Sequence, residues 1–202
     1  MTFRFRFLPR PVLAVLTAVL IMSGAAQAQL LSPQQEAGAA IGKLVDSRQY
    51  QAALPRIDAY LKKYPRDAQM RFTRGRVLTE LGQREQAIAA FTALTQDFPE
   101  LPEPYNNLAA LYAQEGHYEQ ARAALEMAIR TNPNFAVAYA NLGDVYAKLA
   151  TQAYARANQL APSANVNAKI QALDHLLQSQ TIAPVSAAPA SAAPAVSGHT
   201  SP

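Results

Sequence analysis

The chain has 202 residues with 18 Lys and Arg against 14 Asp and Glu, no Cys or Trp, and 50% hydrophobic residues, among which Ala dominates. Without cysteine it has no disulfide framework, thiol nucleophile, thiolate zinc site or lipid-modified cysteine anchor. Its three histidines, His117, His175 and His199, are not within helical spacing of one another, so we expect neither a metal site nor a cofactor.

Residues 1–28 have the pattern of a secretory signal peptide. Three arginines among the first ten residues precede an apolar run over 12–22, and a stretch of small residues ends at Ala28. The sequence therefore predicts cleavage between Ala28 and Gln29, export to a bacterial periplasm, and no transmembrane segment after cleavage. An uncleaved membrane anchor is the alternative, although the apolar run is short for a span. Residues 29–33 are then a short N-terminal segment.

The middle of the chain repeats with a period of 34 residues. Pro65, Pro99 and Pro133 lie 34 residues apart, and four further columns of three residues shift in step with them. These columns are Ala53, Ala87 and Ala121; Ile57, Phe91 and Leu125; Leu44, Leu78 and Tyr112; and Ile41, Gly75 and Ala109. Self-similarity at this length indicates a stacked repeat.

Each column has a physical role in a pair of helices. In the third copy, Ala109 and Ala121 are small enough to let two amphipathic helices approach closely, while the bulky Leu125 fills the space beside them. Gly116 ends the first helix, and Pro133 follows the second, which it cannot continue. The pattern therefore predicts a helix, a tight turn, a second helix and a short connection in every copy.

These residues resemble the tetratricopeptide repeat family, in its exported bacterial form. The third copy, 102–135, matches the family pattern at Tyr105, Leu108, Ala109, Tyr112, Gly116, Tyr118, Ala121, Leu125, Ala128 and Pro133. The resemblance implies an all-α, right-handed solenoid of helix-turn-helix repeats with three full copies.

The other two full copies depart from the pattern. The second, 68–101, carries Arg71 and Arg74 where large apolar residues are usual, and the first, 34–67, has Arg48 in place of the turn glycine. A weak first copy is normal where an end repeat has one face in water.

A fourth copy, 136–162, lacks its turn. It closes at Pro162 rather than at position 167, and the five missing residues are those that would separate its two helices. First-helix positions are kept by Tyr139, Asn141, Leu142, Gly143 and Tyr146, and second-helix positions by Ala150, Tyr154 and Ala157. We therefore expect one unbroken helix from about Ala136 to Leu160, at which the solenoid of 34–162 ends.

Two segments follow the repeats. Residues 163–180 are predicted to form a helix that caps the last repeat. Its packing face is expected to contain Ile170, Leu173, Leu176 and Leu177. Residues 181–202 are rich in Ala, Pro and Ser, with a proline every five residues from Pro184 to Pro194. Such a segment has too little apolar surface to offset the entropy of ordering, so the sequence predicts a disordered tail or spacer.

The family resemblance also implies a binding site, because the first helices of such repeats line a concave groove for a protein or peptide partner. The matching positions are Phe72, Thr73 and Arg76 in copy two, Asn106, Asn107 and Ala110 in copy three, and Asn141, Asp144 and Lys148 in copy four. Asn107 and Asn141 share one repeat position, where an amide side chain suits the backbone of an extended peptide. Local packing between helices is the other interpretation.

Charge is polarised along the repeats. Residues 43–84 carry a net charge of +6 and residues 85–144 a net charge of −6. This charge distribution either orients an approaching partner or is an ordinary solvated surface. The basic end suits an anionic envelope surface, whereas an exported chain is not expected to bind nucleic acid. The thin, Ala-rich face of the first copy also allows self-association.

We find no motif that carries catalysis, neither a nucleophile elbow, a zinc-binding HExxH nor a phosphate-binding glycine loop, so we expect no enzyme. The sequence favours an exported, non-enzymatic scaffold or adaptor that binds a protein or peptide of the cell envelope through its groove. The alternative is a module that binds peptidoglycan or a related polysaccharide. An enzyme that uses the groove would need an acid or base that no motif supplies.

Overall fold

The computed structural model describes residues 32–178, Ile182 and Pro184. The predicted signal peptide and almost all of the predicted tail lie outside these residues. By its internal contacts the chain divides into two units, Met1–Glu36 and Ala37–Pro202.

The described part of the first unit, residues 32–36, begins a helix with a reciprocal cap. The backbone N–H of Ser32 donates to Oε1 of Gln35 at 2.9 Å, and the backbone N–H of Gln35 donates to Oγ of Ser32 at 3.2 Å. Pro33 occupies the first helical position, where its missing N–H costs nothing.

Every secondary-structure element of the described part is an α-helix. The helices are α1 Pro33–Asp46, α2 Tyr50–Lys63, α3 Ala68–Glu80, α4 Arg84–Asp97, α5 Pro102–Gln114, α6 Tyr118–Thr131, α7 Ala136–Leu160 and α8 Ala164–Leu177. From α2 onward each helix packs on the next one in the chain. The predicted all-α repeat of helix, turn and helix is confirmed.

The core follows the period of the sequence. Ala53, Ala87 and Ala121 are completely buried in α2, α4 and α6. The large residue four positions later is buried in each copy as well, as Ile57, Phe91 and Leu125. The second unit thus has no single centre, because each repeat buries its apolar face on its neighbours.

Copy two combines the smallest and one of the largest residues at the helix crossing. A Cβ atom built on Gly75 of α3 lies 2.6 Å from Cε1 of Phe91 in α4, which no real side chain tolerates. The ring of Phe91 also lies 5.6 Å from that of Phe72. Gly75 is therefore required by the volume of Phe91 rather than by its backbone conformation.

The turns between paired helices share one geometry in three copies. Arg48, Gly82 and Gly116 occupy equivalent positions and have φ of 55°, 71° and 77°. After each of them the next backbone N–H returns to the helix, for example from Gln49 to the carbonyl of Leu44 at 2.8 Å and from Gln83 to that of Leu78 at 2.9 Å. This is the pattern of a helix ended by a left-handed residue.

Arg48→Gly is expected to raise the free energy of unfolding by about 0.5–1 kcal/mol, because the left-handed conformation strains a residue with a Cβ. Urea denaturation followed by circular dichroism measures the change. Arg56→Gly is the matched control, since Arg56 is exposed in the interior of α2, and it should lower stability by about 1 kcal/mol. A loss of stability in both variants would contradict the assignment of strain to Arg48.

The two arginines at apolar positions of copy two have partners in neighbouring helices. Arg71 contacts Asp97 at 2.7 Å, and its guanidinium lies 5.6 Å from the centre of the Phe98 ring. Arg74 contacts Asp58 in α2 at 2.7 Å. Paired charges therefore take the place of apolar contacts at these two positions of copy two.

The fourth copy is one continuous helix, as the missing turn predicts. Helix α7 runs from Ala136 to Leu160 over 25 residues, about 37 Å at 1.5 Å per residue. A straight helix cannot return onto itself, so the pairing of helices within a repeat ends at copy three.

Helix α8 packs on α7 and turns most of the face expected from its sequence away from solvent. Leu177 is buried and Ile170 and Leu173 are half-buried, whereas Leu176 is 52% exposed and does not belong to the packing face. Beyond the helix, Ile182 is half-buried against the main core cluster, although it falls within the predicted tail. Its contact shows that at least this tail residue packs on the repeats.

Candidate peptide-binding face

The nine sequence-predicted residues lie on α3, α5 and α7, but five of them are buried, and two of these five are apolar. Phe72 is completely buried against Phe91, and Ala110 is buried in α5. A residue without accessible surface does not contact a partner. Phe72 and Ala110 therefore belong to the core of the repeats and not to a binding surface.

The three asparagines are also buried, and two of them bind each other. Nδ2 of Asn141 in α7 donates to Oδ1 of Asn106 in α5 at 2.8 Å. Asn107, one residue further along α5, is buried as well. A buried amide must be hydrogen-bonded within the protein, so this pair joins copy three to copy four. The geometry favours local packing over contact with a peptide backbone for Asn106 and Asn141.

Four predicted residues keep partial exposure and form what we call the candidate face: Thr73 and Arg76 on α3, and Asp144 and Lys148 on α7. The hydroxyl of Thr73 donates to the carbonyl of Gln69 at 2.9 Å, which fixes its rotamer and leaves the oxygen able to accept a second bond. Whether these residues bind a partner stays a prediction.

A pocket of about 210 Å³ opens beside Asp144 and Lys148. Its lining comes from four helices and the segment after them: Ala113, Gln114, Tyr118, Asp144, Lys148, Leu177 and Ile182. Ala113 and Gln114 sit at the last two groove positions of the family pattern in copy three, so the pattern could have found them. Leu177 and Ile182 lie outside the repeats, where no register predicts their contacts.

The pocket holds opposite charges on one helix. Burial raises the pKa of the Asp144 carboxyl above its ordinary value, since loss of water disfavours the ionised form. Lys148 lies one turn further along the same face of α7. In the described part of the chain neither side chain forms a salt bridge. Both charges are therefore available to a ligand.

Asp144→Asn is expected to stabilise the fold at pH 7 but not at pH 3. A carboxyl whose folded pKa is raised contributes its stability below the unfolded pKa of 3.8 and loses it as the pH rises through the folded value. An uncharged amide avoids that loss at neutral pH. Urea denaturation of both chains at the two pH values measures the difference. An equal difference at pH 3 and pH 7 would contradict desolvation of Asp144 as the cause.

Copy three adds a further acceptor near the start of α5. Among the described side chains, Oε2 of Glu103 is the one buried polar atom without a hydrogen-bond partner. Glu103 occupies the first groove position of the family pattern, two turns before Ala110. Because this oxygen is buried, it is an unsatisfied acceptor inside copy three and not a contact for a partner.

The described residues provide neither a metal-binding cluster nor a membrane-spanning helix. Within them, no three His, Asp or Glu side chains are grouped to hold a metal ion. Nor does that part of the chain contain a helix with the length and hydrophobicity to cross a membrane. The pocket combines one acid, one base, an amide, a tyrosine and apolar side chains, so that a few polar groups converge on an apolar lining.

Comparison with protein families gives two matches, both to tetratricopeptide repeat models. One covers residues 43–102 and the other residues 79–149. Together they cover more than half of the 202 residues. No curated protein matches the chain.

Several solved structures share the fold. YrrB, a tetratricopeptide repeat protein with an unusual peptide-binding site, matches with a TM-score of 0.50 and 25% identity over 54% of this chain and 56% of YrrB. This chain thus spans little more than half of YrrB. A tetratricopeptide repeat protein from Thermus thermophilus, TTC0263, matches with a TM-score of 0.52 and 25% identity over 71% of this chain and 82% of its own.

A third structure resembles the chain in fold alone. The Yersinia enterocolitica type III secretion chaperone SycD, solved with a peptide of the translocator YopD, has a TM-score of 0.50 and 13% identity. The match covers 74% of this chain and 98% of SycD.

Proposed function

Because the chain belongs to the tetratricopeptide repeat family, we propose that it is an exported, non-enzymatic scaffold that binds a peptide segment of a cell-envelope protein along its candidate face. The signal-peptide pattern of residues 1–28 supports export to the periplasm. The absence of catalytic motifs from the sequence supports a binding role.

One observation carries the proposal: the pocket beside Asp144 and Lys148 lies where the first helices of copies three and four meet. Its two opposite charges would fix the direction of a bound chain, and Leu177 and Ile182 would hold an apolar side chain. The peptide-binding site named for YrrB supports the same use of a related fold.

Two charges at opposite ends of the candidate face provide the test. Arg76→Glu with Lys148→Glu reverses a basic residue on α3 and one on α7, and we expect it to abolish capture of a specific partner from periplasmic extract. The matched control is Arg84→Glu with Arg130→Glu, which makes the same change of charge at exposed positions of the second helices α4 and α6. Capture that is equal in both double variants, or absent from the wild type, would contradict the proposal.

The second candidate function is binding to peptidoglycan, which the exposed rings of Tyr139 and Tyr146 favour because aromatic faces stack on sugars. Sedimentation with purified cell-wall sacculi separates the two proposals. A peptide-binding scaffold stays in the supernatant, whereas a wall-binding module sediments and loses this property in Tyr139→Ala with Tyr146→Ala. Binding of the basic end to an anionic envelope surface would instead persist in Tyr139→Ala with Tyr146→Ala and weaken as salt is added.

A further inference from the structure

One face of helix α7 is largely exposed in its first half, whereas further along the same face Tyr154 is half-buried, with Nζ of Lys169 in α8 5.2 Å from its ring centre. Ala138, Asn141 and Val145 are buried on the side of copy three, and Asp144 and Lys148 face the pocket shared with α8. On the remaining side Tyr139 is 50% exposed, Tyr146 is 49% exposed, and Gly143 between them is exposed too.

In copies two and three the equivalent face is covered by the second helix of the same repeat. Ala109, which corresponds to Gly143, is completely buried under α6, and Gly75 is in contact with Phe91 of α4. A Cβ atom on Gly143 would instead have no neighbour within 4 Å. The face has the residues of a repeat interface without its partner helix.

The missing partner is present in the sequence of α7 itself. After the deletion of five residues, Ala150, Tyr154 and Ala157 occupy the positions of Ala121, Leu125 and Ala128 in α6. By the same register Leu160 corresponds to Asp97 of copy two. All of these lie in the second half of the helix.

Contacts in copy two show which positions should meet. Arg71 and Asp97, at the fourth and thirtieth positions, touch at 2.7 Å. In α7 these positions are Tyr139 and Leu160, which are 50% and 71% exposed. They lie 21 residues apart on one helix, about 31 Å, so they cannot meet within one chain.

We propose that a second copy of this chain supplies the partner. The two α7 helices lie antiparallel, so that the first half of each covers the second half of the other. The helix pair that a turn would form within one repeat is thus formed between two chains. A two-fold axis crosses the exposed stripe at the level of Lys148, the middle residue of α7, whose side chain lies on the opposite side of the helix. Such an interface is self-complementary, and shortening a connection is a known route to exchanged dimers.

The exposed residues explain why this occupant is favoured. Tyr139, Tyr146 and Leu160 are three of the five large hydrophobic side chains that are exposed in the described part, and all three fall on this one stripe. Exchange places Tyr146 at the position of Leu78, which is completely buried in copy two. It also brings Tyr139 and Leu160 together at the positions of Arg71 and Asp97, whose side chains are 19% and 58% exposed. The interface lies at the end opposite to the first copy, whose Ala-rich face was the surface expected to self-associate.

Restoring the turn tests the proposal directly. The variant carries an extra Glu-Gly-His-Tyr-Glu, the sequence of residues 115–119, between Lys148 and Leu149. Light scattering after size-exclusion chromatography should give a dimer for the full chain and a helical monomer for the variant. A monomeric wild type, or a variant that dimerises as tightly as the wild type, would overturn the proposal.

Gly143→Leu keeps the proposal testable if the insertion does not fold. Its side chain meets open space in one chain but collides with the second helix in the dimer, so we expect dimerisation to weaken more than tenfold. Gly42→Leu in α1 is the matched control, because a Cβ there also has open space. Dimerisation lost in Gly42→Leu and kept in Gly143→Leu would place the interface at the first copy and overturn the proposal.

Chemical cross-linking then reports the direction of the helices. The chain has no cysteine, so Tyr139→Cys with Leu160→Cys provides the only thiols. A short bismaleimide should link them between chains in the native-length protein and within one chain in the insertion variant. Tyr139→Cys alone should give no covalent dimer, because antiparallel helices hold the two copies of residue 139 at opposite ends. Efficient linking in the single variant would contradict the antiparallel arrangement.

Discussion

Phe91→Ala is expected to lower the free energy of unfolding by about 3–5 kcal/mol, the usual cost of removing a buried aromatic ring and leaving a cavity. Phe91 is 1% exposed, fills the space left by Gly75 and contacts the ring of Phe72. Its removal therefore weakens the helix pair of copy two and the contact with copy three together.

Urea denaturation followed by circular dichroism measures this loss. Phe98→Ala is a suitable comparison, because Phe98 is a half-buried aromatic residue that follows α4. Its replacement should lower the free energy of unfolding by less. If Phe91→Ala lowers the free energy of unfolding by less than Phe98→Ala does, the placement of Phe91 at the centre of the repeat is contradicted.

The sequence itself supplies a compensating pair for this site. Copy three has Ala109 and Leu125 where copy two has Gly75 and Phe91. Gly75→Ala alone should be destabilising by about 1–3 kcal/mol because its Cβ meets the ring, whereas Gly75→Ala with Phe91→Leu should recover most of that loss. Additive losses in the double variant would show that the two residues are not coupled.

Asn141→Leu is expected to lower the free energy of unfolding by about 2–3 kcal/mol, because it removes the buried Nδ2 donor that Oδ1 of Asn106 accepts from. The variant should also loosen the contact of copy four with copy three. Thermal denaturation and hydrogen exchange of the α5 and α7 amides measure both effects.

Two further variants identify the cause. Asn106→Leu with Asn141→Leu removes both partners and should be less destabilising than Asn141→Leu alone. Asn134→Ala, at an exposed position, should leave stability unchanged within about 0.5 kcal/mol. A harmless Asn141→Leu would contradict a structural role for the hydrogen bond between Asn141 and Asn106.

The repeats and the long helix α7 could be predicted from the sequence because they depend on periodic volumes. Small and large residues recur every 34 positions, and the loss of five residues between Tyr146 and Ala150 leaves nothing to bend the chain. The all-α architecture and the bounds of α7 follow directly from these patterns.

The candidate site was less predictable, because a repeat position indicates a face of a helix and not what covers it. Phe72 turns into the core beside Phe91, and Asn106 and Asn141 bind each other. The pocket further depends on Leu177 and Ile182, which belong to no repeat. Long-range packing of this kind leaves no period in the sequence.

Site-specific photo-crosslinking in living cells tests the binding face most directly. A benzophenone amino acid replaces Thr73 or Gln114 on the first helices, and the exposed residues Ala89 or Ala123 on the second helices as controls. We expect a discrete adduct with one envelope protein from Thr73 and Gln114 and none from the controls, with the linked peptide identified by mass spectrometry. Adducts of the same mass and yield from all four positions, or from the controls alone, would contradict binding along the first helices.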